Sequence, residues 1–67
     1  MDSLTVNGKP HPHAPGMTVA SLLAAVHGAP AHVVVEVNGE IVPLERYGAM
    51  PLNGGDAVEI VHFVGGG

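Results

Sequence analysis

The feature that most limits the fold of this 67-residue chain is that only one segment has a clear helical pattern. Apolar residues recur there at i, i+3, i+4 and i+7 and form one stripe: Val19, Leu22, Leu23 and Val26. Thr18 precedes the stripe as an N-cap, and Gly28 with Pro30 stops it. The sequence therefore predicts one main helix over about Thr18–His27, which must provide most of the cover for the strands.

Short β-branched runs lie on both sides of this helix, and two Asn-Gly pairs punctuate them. Asn7-Gly8 and Asn38-Gly39 are typical of two-residue hairpin turns, so we expect one hairpin before the helix and one after it. The return strand of the first hairpin, Lys9–His13, contains two prolines. Because proline has no backbone N–H, this segment is an edge strand or barely a strand.

The last strand begins after a turn at residues 53–56, and its alternation predicts two different faces. Val58 and Ile60 lie on one face, and Val61 and Phe63 lie on the other. One helix cannot cover both faces of a four- or five-stranded sheet. If the first pair packs on the helix, Val61 and Phe63, with Val34, form an exposed apolar cluster, which often marks a contact surface. The alternative is that loops bury both faces.

The charge balance limits the classes of partner. Lys9 and Arg46 are the only cationic side chains besides histidine, against six carboxylates, and the net charge is −4. This balance argues against nucleic-acid binding, which uses clustered Lys and Arg. It suits a partner with a basic docking face, or it serves only solubility. The apolar runs are too short to cross a membrane, and the absence of cysteine and of a signal peptide favours the cytoplasm.

The sequence offers no catalytic or metal-binding constellation. No nucleophile stands with a base and an orienting group, as a hydrolase requires. His11 and His13 can face the same way on a strand, but two ligands are too few for a closed zinc site. We therefore expect neither an enzyme nor a metalloprotein.

The chain ends in Gly65-Gly66-Gly67, directly behind an apolar run. Glycine tolerates almost any backbone conformation, so this end can enter a slot that other residues would block. Three extended residues reach about 10 Å and deliver the α-carboxylate of Gly67. A frayed terminus is the alternative. The first interpretation divides the chain into a domain at 1–64 and a glycine tail at 65–67.

Several segments together match the pattern of one known family. They are Val6-Asn7-Gly8, Met17-Thr18-Val19, the run Val-Asn-Gly-Glu-Ile-Val-Pro at 37–43, Asn53-Gly54-Gly55-Asp56, Val58-Glu59-Ile60-Val61 and the glycine end. Their combination resembles the ThiS family, the ubiquitin-like sulfur carriers of thiamine thiazole synthesis. The resemblance covers essentially the whole chain, although Lys9–His13 and Ala49-Met50-Pro51 depart from the family pattern. It implies an α+β, ubiquitin-like β-grasp fold, in which a mixed sheet packs on the one helix and the first and last strands are parallel neighbours.

The resemblance also implies a carrier and not an enzyme, with no bound cofactor. A ubiquitin-activating-type adenylyltransferase would use ATP to adenylate Gly67, and a sulfur-donor protein would then convert it to a thiocarboxylate. Thiazole synthase would accept that sulfur. Gly65 and Gly66 would thread the partners' active sites, while Val34, Val61 and Phe63 would dock against both enzymes.

Three alternatives remain open at this point. One is a sister carrier for molybdopterin synthesis or another thiolation route, which would share the fold and the tail. Another is a ubiquitin-like modifier joined to lysines of other proteins through Gly67. The third is a non-covalent interaction module with an inert tail.

Overall fold

The computed structural model describes residues 2–26 and 33–62. Its elements in chain order are β1 (Ser3–Val6), β2 (Lys9–Pro12), α1 (Val19–Val26), β3 (Val33–Val37), β4 (Glu40–Val42), a 3-10 turn (Leu44–Arg46) and β5 (Ala57–His62). The strands form one five-stranded sheet in the order β2-β1-β5-β3-β4. β1 and β5 pair in parallel, and the other neighbours are antiparallel. The predicted α+β, ubiquitin-like β-grasp architecture, with parallel first and last strands, is confirmed.

Both predicted hairpins are present, and their turns explain why each needs Asn followed by Gly. Asn7 and Gly8 have φ values of 52° and 82°, and Asn38 and Gly39 have values of 53° and 87°. Two successive positive φ values match the right-handed twist of the strands, and asparagine and glycine reach them most easily. The proline-containing strand β2 lies at one edge of the sheet, as predicted, and ends at Pro12.

The helix begins with reciprocal hydrogen bonds between Thr18 and Ser21. The backbone N–H of Ser21 donates to Thr18 Oγ1 at 3.2 Å, and the N–H of Thr18 donates to Ser21 Oγ at 2.9 Å. This is a capping box in which serine replaces the usual glutamate or glutamine. Thr18 is thus the N-cap outside α1, and the other predicted end, His27, lies outside the described residues.

The core lies between α1 and one face of the sheet. Its buried members are Leu4, Val19, Leu22, Leu23, Val35, Val37, Val42, Tyr47, Leu52 and Val58. Three of the four residues of the predicted helical stripe belong to it, whereas Val26 is 43% exposed. The alanines of α1 are exposed, and Tyr47 is the one aromatic residue among the buried core residues of the described chain.

The segment between β4 and β5 covers the start of the helix. The N–H groups of Val19 and Ala20 donate to the carbonyls of Met50 and Tyr47 at 3.1 Å and 3.0 Å. The first N–H groups of a helix have no partner within the helix, so these bonds satisfy two of them. This role explains why Tyr47 and Leu52 are buried in a stretch without strong strand or helix periodicity.

Replacing Thr18 with alanine tests the N-cap. Thr18→Ala removes the side-chain acceptor of the Ser21 N–H, and we expect the free energy of unfolding to fall by about 1 kcal/mol. Thr18→Ser keeps the hydroxyl and serves as the matched control. Urea denaturation followed by circular dichroism measures both. Equal stability of the two variants would show that the cap contributes nothing.

Candidate functional site

The face of the sheet turned away from α1, called the uncovered face below, carries the apolar pair predicted from alternation. Val34 on β3 and Val61 on β5 are directly opposite in the antiparallel register. Val34 is half-buried and Val61 is 48% exposed. Val58, from the same strand, is fully buried on the other face. The structure therefore brings Val34 and Val61 together as expected, while Phe63 lies outside the described residues.

The next position along the same strands adds three side chains to the uncovered face. Glu36 on β3 is opposite Glu59 on β5 and also opposite Ile41 on β4. Ile41 is 67% exposed. Alternation alone puts Glu36 and Glu59 on this face, but it does not tell which residues are neighbours. The register that makes them adjacent depends on the two hairpins and on strand order.

The side chain of Asn7 forms two hydrogen bonds with the backbone of β5. Its Oδ1 accepts the backbone N–H of Ile60 at 2.7 Å, and its Nδ2 donates to the Ile60 carbonyl at 3.2 Å. The parallel ladder between β1 and β5 contains only the pairs Thr5↔Ala57 and Val6↔Val58. The Asn7 side chain continues that ladder by the equivalent of one further residue.

Asn38 forms hydrogen bonds with the first residue of β5, Ala57. Its Oδ1 accepts the N–H of Ala57 at 2.9 Å, and its own N–H donates to the Ala57 carbonyl at 2.8 Å. Its Nδ2 also donates to Asp56 Oδ1 at 3.1 Å. Both turn asparagines therefore act on β5 as well as on their own hairpins. Local pattern predicts the turns but misses these contacts, because the partners are 19 and 53 residues away in sequence.

The glycine-rich turn before β5 has a structural explanation. Asp56 Oδ2 accepts the N–H of Asn53 at 2.8 Å, and the N–H of Gly55 donates to the Ser3 carbonyl at 2.7 Å. A Cβ added at Gly54 would lie 3.0 Å from the Cβ of Asp2, closer than side chains normally pack. The bond from Gly55 to Ser3 joins the turn to the first strand.

The two histidines considered as metal ligands have separate hydrogen bonds. His13 Nε2–H donates to the Leu52 carbonyl at 2.7 Å, and His11 Nδ1–H donates to the Pro12 carbonyl at 2.8 Å. Within residues 2–26 and 33–62, no three His, Asp or Glu side chains are grouped so as to hold a metal ion. His13 instead links the end of β2 to the segment before β5.

The glycine tail is the remaining part of the predicted site. Gly65, Gly66 and Gly67, and the predicted boundary at residue 64, lie outside the described residues. The described chain reaches His62, the last residue of β5. In that described part, α1 is too short to span a membrane.

Replacing Asn7 or Asn38 tests the side-chain hydrogen bonds that each makes to β5. Asn7→Gly keeps a residue that accepts positive φ but removes the bonds to Ile60, so the Ile60 amide should exchange its hydrogen faster. Asn38→Gly should do the same to the Ala57 amide. Hydrogen exchange followed by NMR measures each amide in both variants. If each substitution raises the exchange rates of both amides equally, the two asparagine side chains do not act locally on β5 and this interpretation is wrong.

The chain is similar to known proteins in sequence and in fold. The ThiS family model matches residues 4–67. The sulfur carrier protein ThiS of Bacillus subtilis is 48% identical over 50 residues, which cover 75% of this chain and 76% of that protein. A thiazole synthase of Magnetococcus marinus is 44% identical over 62 residues, or 92% of this chain. The chain spans only 19% of the length of that thiazole synthase.

A solved structure agrees with these sequence matches. The crystal structure of the thiamine biosynthesis protein ThiS from Geobacter metallireducens superimposes with a TM-score of 0.78. The two chains are 44% identical, and the alignment covers 97% of this chain and 99% of the other.

Proposed function

The chain belongs to the ThiS family, and we propose that it carries sulfur for thiamine biosynthesis as a thiocarboxylate on Gly67. The observation that carries this proposal is the family match over residues 4–67, which includes the glycine end. The similarity to the thiamine biosynthesis protein of known structure extends over nearly the whole of both chains and supports the same function. In this role the protein is a co-substrate of enzymes and not itself an enzyme.

The proposed chemistry starts from a carboxylate, which is a poor electrophile. A Gly67 carboxylate oxygen attacks the α-phosphorus of ATP on the activating adenylyltransferase, and pyrophosphate leaves. The terminal sulfur of a donor-protein persulfide then attacks the acyl carbon, and AMP leaves with the bonding electrons. A thiol reductant cleaves the resulting acyl disulfide and leaves the thiocarboxylate. Pyrophosphate and AMP are both good leaving groups, so two feasible steps replace the direct displacement of oxygen from a carboxylate.

The composition of the chain is compatible with this sequence of steps. The chain contains no cysteine, so it supplies no thiol of its own to capture the activated carbonyl. Gly65 and Gly66 precede the reacting residue. In the proposed mechanism their lack of side chains lets the carboxylate reach two different active sites in turn.

The uncovered face is the proposed docking surface for the adenylyltransferase and for thiazole synthase. Val34 and Val61 are neighbours there, and Val61 is 48% exposed, which supports a contact role. Phe63 is the next residue of the same alternation and extends the proposed surface toward the tail. The similarity to a thiazole synthase supports that enzyme as a partner.

Changes at the glycine end test the proposed site of chemistry. Deleting Gly67, or adding one residue after it, moves the carboxylate by about 3.5 Å. Reacting atoms must lie about 3–3.5 Å apart, so such a shift should abolish adenylation. Gly66→Val should act similarly by adding a branched side chain in the slot.

The measurement is the intact mass of the protein after incubation with ATP, a ubiquitin-activating-type adenylyltransferase, a persulfide donor and a thiol reductant. The unaltered chain should gain the mass of one oxygen-to-sulfur exchange on its C-terminal peptide. Gly48→Ala, in an open position of the turn before Met50, is the control and should be modified normally. Equal modification of the Gly66→Val variant would refute the proposed role of the tail.

Charged substitutions test the docking surface. Val61→Asp and Phe63→Asp each place an unpaired carboxylate in a dry interface, so binding to both enzymes should fall by at least about tenfold. Leu44→Asp changes a side chain that is 61% exposed outside the sheet and serves as the control. Isothermal titration calorimetry measures binding, and circular dichroism checks folding. If Val61→Asp binds normally, this face is not the docking surface; if Phe63→Asp unfolds the chain, Phe63 is a core residue.

A further inference from the structure

Two carboxylates lie side by side in the middle of the uncovered face. Glu36 and Glu59 are directly opposite each other on β3 and β5. The side chains of such a pair have Cβ atoms about 4.5–5.5 Å apart, and like charges there destabilise the sheet. Glu36 is half-buried, which reduces the water available to screen it. The register therefore places two like charges opposite each other at this point of the sheet.

Nothing in the described part of the chain relieves this repulsion. Among residues 2–26 and 33–62, neither carboxylate accepts a hydrogen bond or forms an ion pair. Lys9 is opposite Val6 and shares its face, which packs against the core. Arg46 lies in the 3-10 turn and lines a groove with Ile41 and Pro43 at the β4 edge. Neither cation belongs to the uncovered face of the two central strands.

Apolar side chains flank the acidic pair. Val34 and Val61 form the next pair on this face, toward the C-terminal end of β5. On the other side of Glu36, Ile41 of β4 is its direct neighbour. A protein surface that covers these side chains also removes water from the two carboxylates between them. Removing water from an unpaired charge is strongly unfavourable, so a surface that fits must supply a cation at that position.

We propose that the partner surface docking on the uncovered face inserts an arginine or lysine side chain over Glu36 and Glu59. This inference rests on the proposed docking function and specifies the chemistry of the partner. Arginine fits best, because its planar guanidinium donates to two carboxylates at once. The net charge of −4 steers such a basic surface toward the face.

The same charges disfavour other occupants. A second copy of the chain placed face to face brings four carboxylates together without a cation. Nucleic acid and anionic membranes carry phosphates, which the pair repels. The occupant of this face is thus a protein with a basic side chain set among apolar ones.

The double variant Glu36→Gln with Glu59→Gln tests the proposal, because it keeps the shape of both side chains and removes both charges. Its affinity for the adenylyltransferase or for thiazole synthase should fall by about tenfold or more, with slower association. The dependence of affinity on salt concentration should also weaken. Its urea midpoint should rise, since the repulsion within the sheet is gone. Glu45→Gln, an exposed position in the 3-10 turn, is the control and should change none of these properties.

Weaker binding by a more stable double variant supports the proposal, because a purely structural role would move stability and binding in the same direction. Unchanged affinity or unchanged salt dependence overturns it, and so does a lower urea midpoint. A homodimer in analytical ultracentrifugation that buries this face overturns it as well.

The Val61→Asp variant separates this inference from the docking proposal. If the wild type binds and Val61→Asp does not, normal binding by the double glutamine variant refutes only the basic contact. If the wild type binds neither enzyme, the docking proposal and this inference fail together.

Discussion

The pairing of β5 with β1 on one side and with β3 on the other is the interaction on which the rest of the structure depends. β5 is the central strand and lies between the two hairpins in the sheet. Asn38 holds its first residue and Asn7 holds Ile60, three residues further on. Backbone N–H and C=O groups need hydrogen-bond partners, and these side chains provide them where the strand ladders stop. A shift of β5 by one residue would move Val58 out of the core and Val61 into it.

This central pairing also decides how the two faces differ. With one helix in the described chain, α1 covers one face, where Val35 and Val58 are fully buried. The other face keeps Val61 exposed and sets Glu36 beside Glu59. Within residues 2–26 and 33–62, no second helix covers that face. The face that α1 leaves uncovered is thus the surface that we propose for docking.

The segment between β4 and β5 is the second support of the fold. Its carbonyls accept the first N–H groups of α1, and Tyr47 and Leu52 complete the core. Disrupting this segment would therefore leave the N–H groups of Val19 and Ala20 without their acceptors and affect the start of the helix. The departure from the ThiS pattern at 49–51 falls within it, where Pro51 forms an isolated bridge to Thr18.

The sequence by itself determined the local elements. Hydrophobic periodicity placed α1 to within a residue at its start, and the two Asn-Gly pairs placed both hairpins. Alternation assigned Val34 and Val61 to a face away from the helix, because side chains in a strand alternate strictly. The parallel pairing of β1 and β5 was predicted only through the family resemblance, since nothing local encodes it.

Only the tertiary structure decided which residues are neighbours. The pairing of Glu36 opposite Glu59, the bonds of Asn7 and Asn38 to β5, and the burial of Tyr47 all depend on register and strand order. Register is set by the combined fit of turns, core side chains and strand pairing, and no short stretch of sequence carries that information. The sequence thus determines which side chains each strand can present, and packing determines which of them become neighbours on the uncovered face.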